Sequence, residues 1–271
     1  MYCGSSYFIV RSEMISSSSN TQVRRIIKLN QKAKERKSRK VFITEGYKMF
    51  QEAPKEWILN VYVTQKFEQQ HMEELQEYNY ELVSDSAFGQ MSDTLTPQGI
   101  LCVIKMPLYS LDDVLCGANP LCMIVEDLQD PGNLGTIVRT SEGAGVTGIL
   151  LSKNTVDLFN PKTIRATMGS IYRMPYVYIE DLRSILPELN VRKITTYAAH
   201  LNGVRIYDGE DYTGATAFLI GNEGNGLSRE LSEKADRLIR IPMEGKVESL
   251  NAAVASSILI YEASRQRRNK I

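Results

Sequence analysis

The sequence predicts an α/β protein with a mainly parallel carboxyl-terminal sheet and a small amino-terminal α/β domain. Apolar runs typical of buried strands recur through the second half of the chain, and helical segments separate most of them. A stretch rich in Pro, Gly and Asn at 107–120 divides the chain into two parts. Strands that are apolar on both faces and alternate with helices indicate a parallel sheet covered on two sides. Such a sheet binds ligands at the carboxyl ends of its strands.

The composition is that of a globular protein long enough for two domains. The chain has 271 residues, of which 43% are hydrophobic and 24% are charged. These values exclude a disordered or fibrous class. No apolar run approaches the roughly 18 residues that span a bilayer, and the first residues lack the pattern of a signal peptide. We therefore expect a cytoplasmic protein, with Met14 as a second candidate start.

The cysteines and histidines argue against a metal site. The four cysteines are Cys3, Cys102, Cys116 and Cys122. Their spacing fits neither a zinc site nor a disulfide scaffold, so we expect reduced thiols, mostly in the core. His71 and His200 have no clustered ligands near them, and no metal is expected.

The amino-terminal region contains a strongly basic stretch, although the charges of the whole chain sum to zero. Residues 1–20 hold a serine run and little periodicity, which predicts a flexible tail. The basic residues that follow are candidates for binding phosphates. They include Arg24, Arg25, Lys28, Lys32, Arg36, Lys37, Arg39 and Lys40. A solvated charged helix followed by a charged loop is the alternative interpretation.

Strand-like segments define the two domains and the linker between them. In a first domain over 21–106 they are 41–44, 59–64 and 100–104, with helices near Lys48 and at 72–78. The linker is predicted at 107–120. In a second domain over 121–271 they are 121–125, 148–151, 176–179, 194–198, 217–220 and 238–241.

The first of three segments that carry chemistry is 126–145, a strand end, a Pro-Gly turn and a helix. Asn133 is predicted as the helix N-cap. Leu134, Ile137 and Val138 form the face that packs on the sheet, which leaves Arg139 outside. From there its guanidinium could reach an anionic ligand such as a phosphate. Capping alone for Asn133 and a surface ion pair for Arg139 are the alternatives.

The second segment, 218–228, is a buried strand followed by Gly221, Gly224 and Gly226 around Glu223. The glycines predict close approach of the backbone to a ligand, although turn chemistry explains them equally well. Their spacing excludes a dinucleotide fingerprint. We expect a buried Glu223 that holds an arginine, an amide or ligand groups.

The third segment, 241–265, is a strand end, a loop and a long helix with Ser249 as the predicted N-cap. Small residues at the start of this helix permit close packing, including a contact between subunits.

At these three segments the sequence closely resembles the SpoU or TrmH family of RNA 2′-O-ribose methyltransferases in the SPOUT superfamily. Residues 160–169 also match, and residues 23–106 resemble the family's amino-terminal substrate-binding domain. The resemblance implies a carboxyl-terminal trefoil knot, S-adenosylmethionine as the methyl donor and a homodimer through the knotted domains. It also implies an RNA substrate, with ribosomal RNA favoured over transfer RNA.

The resemblance further implies two sets of site residues. Donor contacts fall on Leu219, Gly221, Ile241, Met243 and Leu250. Positions associated with catalysis and substrate placement fall on Asn133, Arg139, Glu223, Ser249 and Asn251.

A mechanism consistent with the resemblance gives Arg139 an electrostatic role. A guanidinium with a pKa above about 12 is a poor base, so we expect it to grip a phosphate and polarise the 2′-hydroxyl. Glu223 would orient Arg139, and Ser249 and Asn251 would fix the ribose, which leaves the proton acceptor open. A catalytically silent RNA-binding protein and a base-methylating SPOUT enzyme are the alternatives.

Overall fold

The computed structural model describes residues 13–269, and the chain divides into two compact units between Met106 and Pro107. The segment predicted as a linker, 107–120, belongs to the second unit. It carries a short helix, Leu111–Val114, and Val114 is fully buried in the core of that unit. Within the described range, no helix is both long and apolar enough to cross a membrane.

The first unit is a four-stranded sheet flanked by helices. Its elements in chain order are α1 (Thr21–Gln31), α2 (Ala33–Arg39), β1 (Val41–Glu45), α3 (Tyr47–Glu52), β2 (Ile58–Val63), α4 (Gln65–Gln70), α5 (Met72–Leu75), β3 (Tyr80–Leu82), α6 (Asp85–Met91) and β4 (Ile100–Lys105). The strand order is β1-β4-β2-β3. Strand β4 is antiparallel to β1 and β2, whereas β2 and β3 are parallel.

The core of the first unit also includes a residue that was expected to lie in a flexible tail. On α1, Val23, Ile26 and Leu29 are fully buried, as expected for an amphipathic helix. Ile15 packs in the same core, and its N–H donates to the Leu82 carbonyl at 2.8 Å. The prediction of a tail is therefore wrong at Ile15, and residues 1–12 lie outside the described residues.

The second unit is built on a seven-stranded sheet. Its elements are α7 (Leu111–Val114), β5 (Leu121–Val125), α8 (Pro131–Ala144), β6 (Gly148–Ser152), α9 (Pro161–Thr167), β7 (Tyr176–Ile179), α10 (Leu186–Val191), β8 (Thr195–Ala199), β9 (Arg205–Ile206), β10 (Thr216–Ile220), α11 (Arg229–Ser232), β11 (Arg237–Arg240) and α12 (Ala252–Arg268). The strand order is β7-β6-β5-β10-β8-β11-β9, and each neighbouring pair is parallel. The predicted α/β class with a mainly parallel sheet is confirmed.

Every predicted strand is present, and no predicted strand end differs from the observed one by more than one residue. The sequence did not indicate β3 and β9, because β3 is half-buried and β9 has only two exposed residues. Neither has the apolar run from which the other strands were predicted. The trefoil knot stays a prediction.

The cysteines lie where the sequence placed them, so far as the structure describes them. Cys102 and Cys122 are buried free thiols, and Cys116 is an exposed one. Burial raises the pKa of Cys122 to about 12. Cys3 lies outside the described residues.

Candidate functional site

The three chemistry-bearing segments of the second unit emerge at one edge of its sheet. Strands β5, β10, β8 and β11 are neighbours in that order, and all run in the same direction. The segments after β5, β10 and β11 therefore begin at the same edge, where ligands bind in parallel α/β sheets.

The N-cap of helix α8 is Asp130 rather than Asn133. The Asp130 carboxylate accepts the Asn133 N–H at 2.8 Å, and Pro131 occupies the first turn. The predicted N-cap was wrong because Asp130 caps the helix three residues earlier, which places Asn133 inside the first turn. The amide side chain of Asn133 is consequently left for other contacts. Leu134, Ile137 and Val138 pack on the sheet as predicted.

The loop after β10 folds back on itself. Asn222 and Gly226 exchange backbone hydrogen bonds of 3.0 and 2.9 Å. A Cβ atom at Gly221 would lie 2.0 Å from the Gly226 carbonyl carbon, so only glycine fits. The close approach at Gly221 is to the chain's own backbone, which agrees with the interpretation of the glycines as turn residues, and the approach of a ligand there stays a prediction.

Glu223 lies at the start of this loop and is exposed, which corrects the expectation of a buried carboxylate. It accepts hydrogen bonds from the backbone N–H groups of Gln129 and Asp130 at 3.1 and 3.0 Å. It also accepts the Asn133 side-chain N–H at 3.0 Å. Partial burial acts to raise the pKa of Glu223, but these hydrogen bonds outweigh it and the net effect lowers the pKa.

Asn251 joins the third segment to the other two. Its Nδ2 donates to Asn133 Oδ1 at 3.0 Å. Its Oδ1 accepts the N–H groups of Ala253 and Val254, so Asn251 is the N-cap of α12. The prediction of Ser249 as N-cap is therefore wrong.

Asn133, Glu223 and Asn251 thus form one network of side chains, here called the amide–carboxylate network. Glu223 accepts from the Asn133 amide nitrogen, and Asn133 in turn accepts from Asn251. Each amide is fixed in one orientation because its oxygen and nitrogen have different partners. The network ties together the loops that follow β5, β10 and β11.

Arg139 and Ser249 lie outside this network. Both are exposed, and among residues 13–269 neither side chain makes a hydrogen bond or ion pair. Glu223 does not contact Arg139 in the described structure, contrary to the expected orienting role, because its oxygens serve Asn133 and two backbone amides. Arg139 is about 9 Å from Asn133 along the axis of α8, and helical side chains tilt toward the amino terminus.

The predicted donor residues lie at the same edge, with two kinds of environment. Leu219 is fully buried and Gly221 is buried, so they can offer backbone groups only. Ile241, Met243 and Leu250 are half-exposed in the loop between β11 and α12.

The loop at 242–250, here called the donor loop, leaves its polar backbone unpaired. In the part of the chain that the structure describes, none of its backbone N–H and C=O groups has a hydrogen-bond partner. Half-exposed apolar side chains beside unpaired amides and carbonyls suit a planar, polar-edged group such as adenine. These residues therefore fit S-adenosylmethionine.

The end of β8 also belongs to this edge, and the sequence did not indicate it. His200 follows β8, which lies between β10 and β11, and its N–H donates to the Ile239 carbonyl at 2.9 Å. The order of strands in the sheet places His200 here, and that order cannot be deduced from one sequence.

A polar cleft of about 410 Å³ lies at the carboxyl ends of β5, β6 and β7. Glu126, Ser152, Lys153 and Arg183 are among its lining residues. It includes neither the amide–carboxylate network nor the donor residues. No group of His, Cys, Asp or Glu side chains that could hold a metal was found among residues 13–269.

The basic residues of the first unit differ in exposure. Most of them are exposed, either on α1 and α2 or directly after one of these helices: Arg24, Lys28, Lys32, Lys37, Arg39 and Lys40. Arg25 is partly buried. Arg36 is 3% exposed and donates to the carbonyls of Leu29 and Asn30, so the prediction that it binds phosphate is corrected. It satisfies carbonyls at the end of α1 instead.

Comparison with known families identifies both units. Residues 120–261 match the model of the SpoU rRNA methylase family. The chain belongs to that family. Residues 20–102 match the model of the MRM3-like substrate-binding domain.

Three proteins similar to this SpoU family member each match more than nine tenths of its length. A 23S rRNA (guanosine(2553)-2′-O)-methyltransferase of Bacillus subtilis is 34% identical over 92% of this chain and 98% of its own. The solved S-adenosylmethionine-bound rRNA methyltransferase of Sinorhizobium meliloti is 29% identical, with a TM-score of 0.83 over 93% of this chain and 97% of its own. The SpoU methyltransferase AviRb of Streptomyces viridochromogenes in complex with S-adenosylmethionine has a TM-score of 0.84 and 25% identity, over 92% and 98% of the two chains.

Proposed function

We propose that this protein is an RNA methyltransferase that transfers a methyl group from S-adenosylmethionine to a ribose 2′-hydroxyl of ribosomal RNA. The amide–carboxylate network carries the proposal, because it brings together residues from all three family segments at one sheet edge. The 23S rRNA 2′-O-methyltransferase relatives support ribosomal RNA as the substrate. We also propose a cytoplasmic location, which a ribosomal RNA substrate supports.

The donor would bind between the ends of β10 and β11. Ile241 and Leu250 would contact the two faces of the adenine, and the unpaired backbone groups of the donor loop would bind its polar edge. When bound, S-adenosylmethionine supplies an activated methyl group on a sulfonium. The remaining task of the protein is to align the ribose oxygen and assist loss of its proton.

Arg139 and the amide–carboxylate network divide that task. The network holds the start of α8 and the start of α12 in fixed relation, so it positions the residues around it. Arg139, which has no partner among the described residues, would bind the phosphate next to the target ribose and polarise the 2′-hydroxyl. Ser249 would contact the ribose through its exposed hydroxyl.

We also propose that the second unit contains the trefoil knot and forms a homodimer. Val254 and Tyr261, 48% and 47% exposed on α12, support the dimer because exposed apolar groups favour an interface. The fold shared with solved SpoU methyltransferases supports the knot.

The test is methyl transfer to an in vitro transcript of 23S rRNA with radiolabelled donor, followed by alkaline hydrolysis. Because alkaline cleavage requires a free 2′-hydroxyl, ribose methylation leaves the label in alkali-resistant dinucleotides. Label in mononucleotides would instead indicate base methylation. No label with the wild type on either 16S or 23S transcripts, despite RNA binding, would indicate a silent RNA-binding protein.

A further inference from the structure

Lys162, on α9, belongs to a segment that the proposed function leaves without a role. The segment 160–169 lies within the part of the chain that matches the SpoU model. Helix α9 lies against α8, since a Cβ atom at Gly135 would be 2.5 Å from the Ala166 Cβ atom. Where the two helices begin, a Cβ atom at Gly132 would be 3.6 Å from Lys162 Cε. The Lys162 side chain therefore extends along the start of α8.

The Lys162 ammonium lies beside the amide–carboxylate network. Its Nζ atom is 3.3 Å from Asp130 Oδ2. Asp130 is the N-cap of α8, and its own N–H donates to Glu223, a member of the network, at 3.0 Å. A single residue, Asp130, therefore separates the ammonium from the network.

Lys162 and Arg139 border the same exposed face of α8. Gly132, Thr136 and Arg139 are spaced i, i+4 and i+7, which places them on one side of the helix. Thr136 and Arg139 are exposed. The Cα atoms of Gly132 and Arg139 are about 10 Å apart along the helix axis. Because helical side chains cover the turn that precedes their own Cα atom, the Arg139 side chain extends toward Lys162.

Both cations are available to an anion. The side chains of Lys162 and Asp130 are 58% and 44% exposed, and an ion pair this exposed contributes little to stability. If Lys162 leaves, Asp130 keeps the hydrogen bond from the Asn133 N–H at 2.8 Å. Arg139 has no hydrogen-bond or ion-pair partner among residues 13–269. The partial positive charge at the amino end of α8 adds to the attraction for an anion.

We propose that Lys162 binds the second of the two phosphates that flank the target ribose, while Arg139 binds the first. The two side chains start about two helical turns apart, which suits successive phosphates of one strand rather than a single phosphate. The ribose between them would lie over Gly132 and Thr136, next to the amide–carboxylate network. Binding on both sides would fix which ribose enters the site and the direction of the strand. This inference rests on the proposed function.

The test compares two ion-paired lysines of the second unit in the full chain. Lys162→Gln is the test variant. Lys153→Gln is the control, because Lys153 is 53% exposed and pairs with Glu180 outside the network. Binding to a fluorescent in vitro transcript of 23S rRNA is measured at several salt concentrations, and methylation kinetics are measured at saturating donor.

We expect Lys162→Gln to weaken RNA binding about tenfold and to lower the slope of log Kd against log salt by about one, because one phosphate contact is lost. KM for RNA should rise more than kcat falls, since the contact is made in the bound state before the reaction. Lys162→Arg should restore most of the affinity, because it keeps the charge. Lys153→Gln should bind RNA like the wild type, and calorimetry should show unchanged S-adenosylmethionine affinity in all variants.

Three results would overturn the inference without touching the proposed function, in each case with normal methylation by the wild type. One is wild-type RNA affinity in Lys162→Gln. Another is a weaker affinity with an unchanged salt slope, which would indicate a structural effect, and the third is an equal loss in Lys153→Gln. If the wild type does not methylate the transcript, the proposed function fails and the inference fails with it. Thermal unfolding of each variant checks that the fold is intact.

Discussion

The amide–carboxylate network and the donor loop lie at the same edge of one sheet, yet they use hydrogen bonds in opposite ways. In the network, Glu223, Asn133 and Asn251 satisfy one another and the adjoining backbone amides. In the donor loop, the backbone groups of 242–250 have no partners within residues 13–269. A region whose hydrogen bonds are closed within the protein fixes geometry, and a region that leaves them open is available to a ligand.

Substitution of Arg139 has the largest expected effect, and it tests whether a group without a partner in the described protein is used by a ligand. We expect Arg139→Ala to lower turnover about a thousandfold at saturating donor, because an electrostatic contact to the reacting group is lost. Its stability should change by less than about 0.5 kcal/mol, since the exposed side chain has no partner in the described chain. Single-turnover methylation and thermal unfolding measure the two effects.

Arg139→Lys is the matched variant, which keeps the charge but loses the planar fork. It should retain more activity than Arg139→Ala. Near-normal turnover in Arg139→Ala would show that this arginine has no part in the reaction.

Leu250→Arg tests the donor loop itself. We expect it to weaken S-adenosylmethionine binding about a hundredfold, because the larger charged side chain would occupy the space for adenine. Calorimetric titration measures this without any RNA. Val247→Arg is the control, since Val247 is 62% exposed in the same loop. Equal losses in the two variants would mean that Leu250 has no specific place in the donor site.

The basic helices of the first unit show the same contrast, because one basic side chain is hydrogen-bonded within the protein and others are exposed to solvent. We expect Arg36→Gln to destabilise that unit by about 2 kcal/mol, because two carbonyls at the end of α1 lose a charged donor. Lys28→Gln should leave stability unchanged but lower the salt slope of RNA binding by about one. Denaturant unfolding and salt-dependent binding distinguish them. If Arg36→Gln were as stable as the wild type but bound RNA more weakly, Arg36 would have an RNA-binding role and not a structural one.

Glu223→Gln tests the amide–carboxylate network, and the loss of stability expected of it is smaller than that of Arg36→Gln. We expect a loss of about 1 kcal/mol at neutral pH, because glutamine replaces one acceptor oxygen with a donor in an exposed network. The pKa of Glu223 is lowered in the folded state, so its contribution is present above the usual pKa of about 4.3 and is lost as pH falls through the lower folded value.

The difference in melting temperature between wild type and Glu223→Gln should therefore shrink below about pH 4. Glu233→Gln is the control, because Glu233 makes only an exposed ion pair with Arg229 among its described contacts. A difference that stays constant from pH 7 to pH 3 would contradict the role given to the Glu223 carboxylate.

Periodicity predicted the α/β class and every strand with an apolar run, but it missed the edge strands β3 and β9. Capping was predicted less well, because several residues near a helix start can each serve as N-cap. Asp130 and Asn251 took the places expected for Asn133 and Ser249. Arg36 was indistinguishable from its basic neighbours, since burial of one side chain depends on how α1 and α2 pack.

The sequence by itself determined the fold class, the family and the three segments, because strand hydrophobicity and motif spacing are local properties. Only the tertiary structure decided which groups meet. In the amide–carboxylate network, Asn133 contacts Glu223, which is 90 residues away in the chain, and Asn251, which is 118 residues away. The order of strands in the sheet brings these three residues together. The partners of a hydrogen bond across such distances depend on the packing of the whole unit, and no single segment contains that information.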